Sequence, residues 1–189
     1  MPHNFPKTHR LYQAAEEMEF SGAALSRMGK VGVRPIKELE DAWSAFLIRV
    51  ERMWNKLLAG GSGLPGWQVI ESEVSQQRKT DPLLRYVHHA RNAGEHTIQE
   101  FSVDWKGPIM IENLTSTSYT ASWPSWDRPL LAVRDRGVTY EPARDHLGTS
   151  FCEKLGKGMP EPYVVAEMAL RFYFEVLIRA NREVSWPSH

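Results

Sequence analysis

A chain of 189 residues, 42% hydrophobic and 24% charged, is long enough to bury one full core and ordinary enough in usage to exclude disorder and fibrous architectures. Lys plus Arg and Asp plus Glu both number 23, so no global basic field is available to track a nucleic-acid backbone, and any nucleic-acid role has to rest on a local site. The single cysteine, Cys152, excludes an internal disulfide framework, and no basic region followed by an apolar run and a cleavage site opens the chain, so cytoplasmic localisation is the expectation.

Residues His9 to Met28 set Leu11, Ala14, Ala15, Met18, Leu25 and Met28 at helical spacing and predict a first helix, weakened in its middle by Gly22. After a Gly-containing break over 29–32, Pro35 suits a first helical position. Ile36, Leu39, Trp43, Phe46, Leu47, Val50, Trp54 and Leu57 then form the stripe of a second helix. The pair Gly60-Gly61 should stop it by allowing a chain reversal. Trp67, Ile70 and Val74 predict a shorter, polar third helix reaching about Lys79. Asp81-Pro82 is the start signal of a fourth helix running to about Trp105, because the Asp side chain accepts from orphan backbone N–H groups and Pro fixes a helical φ.

Between Gly107 and Tyr140 the texture changes. Pro108 to Ile111, Thr115 to Trp123 and Pro129 to Val133 read as short antiparallel strands, and Asp135-Arg136-Gly137 reads as a hairpin turn before Val138-Thr139-Tyr140. Pro142 to Pro162 is rich in Gly and Pro and reads as a connector. A last helix places Val164, Val165, Met168, Phe172, Val176 and Ala180 on one side. Its charges Glu167, Arg171, Glu175 and Arg179 argue against a membrane span. The expected fold is therefore mainly α: one domain over residues 1–189, a bundle of about five helices with a small antiparallel β insertion, within 107–160, between the fourth and last helices.

The fourth helix carries the chemistry. At about 100° per residue, Leu83, Val87, Ala90, Gly94, Ile98 and Phe101 gather on one side, facing the core. Arg85, His88, Asn92, His96 and Gln99 fall opposite, and Arg91 lies near the border. Gly94 on the apolar side predicts a close helix contact, since Gly costs about 1 kcal/mol of helix propensity relative to Ala.

The run Arg91-Asn92-Ala93-Gly94-Glu95-His96 resembles the Arg, polar residue, spacer, His motif of the HEPN superfamily, both in the motif and in its helical setting. The resemblance implies a compact helical bundle, a homodimer, and a metal-independent RNase site built from the motif of both protomers. It equally admits an inactive scaffold, or the partner of a nucleotidyltransferase or antitoxin in a toxin–antitoxin or defence pair. RNA cleavage by transesterification needs a group to move the 2′-hydroxyl proton and a cation to offset charge on the phosphoryl oxygens. His96 and Arg91 fit those tasks, and Asn92, one turn before His96, is placed to orient the imidazole or bind phosphate. Arg85, His88 and Gln99 extend the same face as substrate contacts. No cofactor is implied.

Plainer readings stand beside this one. Arg91 can pair with Glu95 at the surface, and His96 can be a solvated or structurally bonded imidazole. His88 and His89 invite a metal, but adjacent helical residues point about 100° apart and no recognised ligand spacing accompanies them, so no metal site is expected. Tyr119, Trp123, Trp126 and Tyr140 either stack on unpaired bases or cover an apolar flank. His146 is a lone loop histidine, and Cys152 reads as a buried small side chain. Two further classes remain open: a non-catalytic dimeric interaction protein, and a nucleotide-binding module in which Arg91 grips a phosphate.

Overall fold

A computed structural model describes residues 9–29, 36–96, 130–140 and 162–184, with the side chains of Ile36, Glu95 and His96 outside the description. Five helices and one hairpin lie in these segments. They are α1 (Tyr12–Gly29), α2 (Ile36–Gly61), α3 (Trp67–Thr80), α4 (Pro82–His96), β1 (Val133–Asp135), β2 (Val138–Tyr140) and α5 (Pro162–Glu183). The mainly helical architecture, with a two-stranded antiparallel hairpin between the fourth and last helices, is the one expected. The stretches 97–105, 108–111 and 115–123 and the connector of 142–161 lie outside the described residues.

Helix α1 lies along α2, and α5 packs against each of the other four helices. That position explains why its buried surface is wider than the expected stripe. Val165, Ala166, Ala169, Phe172, Tyr173, Val176, Leu177 and Ala180 are all buried, while Val164 and Met168 are only half-buried. The core centres on Trp43, Trp67, Tyr86, Tyr173 and Phe46, each fully enclosed. Trp43 stacks on Phe46 at 5.8 Å and tilts towards Tyr86 at 6.5 Å, joining α2 to α4. Such ring pairs contribute about 0.5–1.5 kcal/mol beyond the burial of their area.

Two local junctions position α4. Helix α2 ends at Gly61 as the glycine pair suggests, but for another reason. A Cβ at Gly61 would collide with the Trp67 indole and one at Gly60 would come 2.9 Å from the Arg10 carbonyl, while the left-handed residue of the reversal is Gly63, φ 75°. The glycines are there for close approach. At the next junction a single residue closes α3 and opens α4. The Asp81 N–H donates to the Gln77 carbonyl at 2.8 Å, and the Asp81 Oδ1 accepts from the Leu84 N–H at 2.9 Å. Such a side-chain cap contributes about 1 kcal/mol and fixes the direction in which α4 leaves α3.

The buried side of α4 is Leu83, Leu84, Tyr86, Val87, Ala90 and Ala93. Gly94, expected in a tight helix contact, is instead exposed, and a Cβ built there meets nothing within 4 Å. Tyr86 draws the stripe towards a three-residue step, 83, 86, 90, 93, because its ring enters the core while its hydroxyl donates to the Leu131 carbonyl at 2.8 Å. That bond also ties α4 to the strand that follows.

Candidate functional site

The hairpin lies against α4, so the motif helix and the β segment form one surface. Its turn is tight. Asp135 pairs with Val138, and the two residues between them, Arg136 and Gly137, have φ of 47° and 82°. Positive φ at both positions is what a two-residue type I′ turn requires, and it matches the right-handed twist of the strands. Asp135 ends β1 with its side chain turned inward, only 7% exposed.

That buried carboxylate is the hub of the site. Its Oδ2 lies 2.7 Å from His89 Nδ1 and accepts from Asn92 Nδ2 at 3.2 Å. The His89 ring stacks on Tyr140 from β2, with centroids 3.5 Å apart and planes 13° from parallel. Arg85 is exposed and places its guanidinium 5.6 Å over the same Tyr140 ring. The hydrogen bond from His89 holds the Asp135 carboxyl below its ordinary pKa despite the opposing effect of burial, and Asn92 adds to the lowering.

Asn92 connects this hub to the cation of the motif. Its Oδ1 accepts from the half-buried Arg91 guanidinium at 3.2 Å, so the amide is oriented with both Nδ2 hydrogens facing the other way. One goes to Asp135, and the other reaches His88 Nε2 at 3.4 Å. The other ring nitrogen, His88 Nδ1, lies between the Arg78 guanidinium at 3.3 Å and Glu51 Oε2 at 3.5 Å. Asn92 thus bonds Arg91, His88 and Asp135.

Beneath His88 lies a second, more structural cluster. Arg78 of α3 contacts Glu51 of α2 at 2.5 Å and places its guanidinium 5.2 Å over Trp54 and 6.0 Å over Tyr173. Burial alone would push the Glu51 carboxyl up, but the His88 hydrogen bond and the charge of Arg78 more than reverse this and leave it below its ordinary value. Burial pushes the Tyr173 phenol up to about 12, so it stays neutral against the cation. His88 therefore belongs as much to the α2–α3–α4 junction as to an open face.

The structure brings Arg85, His88, Arg91 and Asn92 of the expected site together, half-buried apart from Arg85. It places His96 at the last position of α4, with its side chain undescribed. Gln99, Tyr119, Trp123, Trp126, His146 and Cys152 lie outside the described residues. Among the described residues no three His, Cys, Asp or Glu side chains converge where they would hold a metal ion. No described helix is long and apolar enough to cross a membrane.

The sequence offers no site role for Asp135 and offers Tyr140 only as an aromatic for base stacking or packing. His89 reads in the sequence only as a metal ligand beside His88, although it precedes His96 by seven residues and so shares its side of the helix within about 20°. Asp135 carried only a turn signal, and no spacing rule links a turn residue to a helix 46 positions earlier. Compared with protein-family models, curated proteins and solved structures, the chain matches none.

Proposed function

We propose that this protein is a metal-independent endoribonuclease of HEPN type that cleaves RNA by 2′-hydroxyl transesterification, with Arg91, Asn92 and His96 as its motif. The observation that carries the reading is the hydrogen bond of 3.2 Å from Arg91 to Asn92 Oδ1, with Asn92 itself held by His88 and Asp135. A cation fixed in this way needs little reorganisation as charge develops on a phosphoryl oxygen, and the planar guanidinium suits bidentate contact with phosphate. His96, one turn beyond Asn92, is the motif residue that moves protons. Homodimerisation along α4 would bring two copies of the motif to one composite site.

Incubating the purified protein with a single-stranded RNA in EDTA, beside a 2′-deoxy copy of that strand, tests the reading. Cleavage of the RNA alone, lost in Arg91→Ala and in His96→Ala, is expected. Undiminished cleavage by both variants would remove the assignment.

A second reading, a non-catalytic dimer that presents α4 to a nucleotidyltransferase or antitoxin partner, is favoured by the exact balance of 23 basic and 23 acidic residues. A tight dimer that neither binds nor cuts RNA would favour it over the first.

A further inference from the structure

One carboxylate oxygen, Asp135 Oδ2, receives both the amide that holds Arg91 and the ring nitrogen of His89. From this we infer that His89, oriented by Asp135, is a catalytic base of the Arg91 site. The inference rests on the ribonuclease reading above and adds a proton-transfer residue that the Arg-polar-His motif does not contain.

Three features support the assignment. With Nδ1 committed to Asp135 at 2.7 Å, the neutral ring carries its hydrogen there and offers Nε2, on its far side, as a proton acceptor. The carboxylate then faces the imidazolium that forms when Nε2 takes a proton, an arrangement that fixes the tautomer and offsets the new charge. The ring is held in place without being sealed: Tyr140 stacks on it at 3.5 Å, yet 22% of the His89 side chain is exposed. On α4, His89, Asn92 and His96 fall within about 60° of one another, and His89 and His96 are two turns apart, about 10 Å along the axis; Arg91 leaves the helix about 160° from His89 and is tied to this side through its bond to Asn92.

The groups facing His89 come from both packed elements. On α4 these are His88, whose ring centroid is 5.1 Å away, and Asn92. On the hairpin they are Asp135 and Tyr140, with Arg136 adding positive charge near Asp135. In the reaction, His89 Nε2 removes the proton of the 2′-hydroxyl as the 2′-oxygen forms its bond to phosphorus. Arg91 faces the phosphoryl oxygens, the bond from phosphorus to the 5′-oxygen breaks, and His96 delivers a proton to that leaving oxygen. The products are a 2′,3′-cyclic phosphate and a 5′-hydroxyl, with no oxidant, reductant or metal consumed.

The decisive variants are His89→Asn, whose amide can still donate to Asp135, and His89→Gln, a second polar replacement should the first not fold. Single-turnover cleavage of one RNA in EDTA is followed from pH 5 to pH 9 for these, for wild type and for Arg91→Ala, with folding checked by urea unfolding. The expected result is a fall of about 100-fold or more in both His89 variants at neutral pH. The rise of rate with pH on the acidic side, which reports a base losing its proton, should flatten in them and persist in Arg91→Ala. A purely structural His89 would leave the shape of that profile unchanged. Wild-type rate and profile in the folded His89 variants, with Arg91→Ala slow, would overturn this inference and leave the ribonuclease reading standing. Absence of RNA cleavage by wild type would overturn both.

Discussion

His89 Nδ1 and Asp135 Oδ2 lie 2.7 Å apart and join α4 to the turn of a hairpin 46 residues further along the chain. The bond turns a short two-stranded ribbon, which has little stability of its own, into a fixed wall of the α4 surface. The same oxygen orients Asn92, so the folding of the hairpin and the orientation of Arg91 depend on one carboxylate.

Replacing that carboxylate should therefore be felt in stability. Asp135→Ala leaves two donors, His89 and Asn92, without their shared acceptor, and a loss of about 1.5–3 kcal/mol is expected in urea unfolding. A loss indistinguishable from that of Arg136→Ala, an exposed neighbour, would show that the hub contributes nothing beyond the hairpin.

Acid should act through the same groups. Asp135 and Glu51 have folded-state pKa values below their ordinary 3.8 and 4.5, so near those values the unfolded chain binds more protons than the native one. Stability then rises with pH in that range: the contribution is complete above the ordinary values and lost as pH falls through the lower folded ones. Comparing urea midpoints at pH 7 and pH 3 should give a smaller acid loss for Asp135→Asn with Glu51→Gln than for wild type.

Arg78 joins three helices through Glu51, Trp54 and Tyr173. Arg78→Met should cost about 3 kcal/mol, because it strands a largely buried carboxylate. Adding Glu51→Met should recover part of that loss, and a double-mutant cycle reads the coupling directly. Strict additivity of the two substitutions would mean that the pair does not interact.

The turn offers a change in the opposite direction. Arg136 holds φ 47°, a region that Asn occupies more readily, and the Asn-Gly pair is the favoured type I′ sequence. Arg136→Asn is expected to raise stability by about 0.5–1 kcal/mol. A rise in the thermal midpoint checks it, and a fall would indicate that the charge of Arg136 near Asp135 outweighs backbone strain.

Helix-scale features were legible because local rules govern them. The Asp81-Pro82 start, the stripe of Trp43, Phe46, Val50, Trp54 and Leu57, and the Asp135-Arg136-Gly137 turn all follow from caps, periodicity and φ preferences within a few residues. Gly94 misled because a wheel with an even 3.6-residue step cannot know that Tyr86 takes the core position and rotates the buried side towards Ala93. Arg91 and Asn92 can be singled out from the chain because a motif on one helix is contiguous in sequence. His89 cannot, since what distinguishes it from any polar-face histidine is a carboxylate and a tyrosine delivered by the hairpin. Long-range partners of this kind leave no periodic trace in the chain.

Whether the Arg91 end of α4 is a ribonuclease site is decided by the single-turnover rate at which one RNA is cut in EDTA by wild type and by Arg91→Ala. Wild-type products should end in 2′,3′-cyclic phosphate, and a folded Arg91→Ala should be slower by about 100- to 1,000-fold, the range for loss of a preorganised charge-stabilising group. Equal rates for the two proteins, or no cleavage by wild type, would contradict the ribonuclease reading.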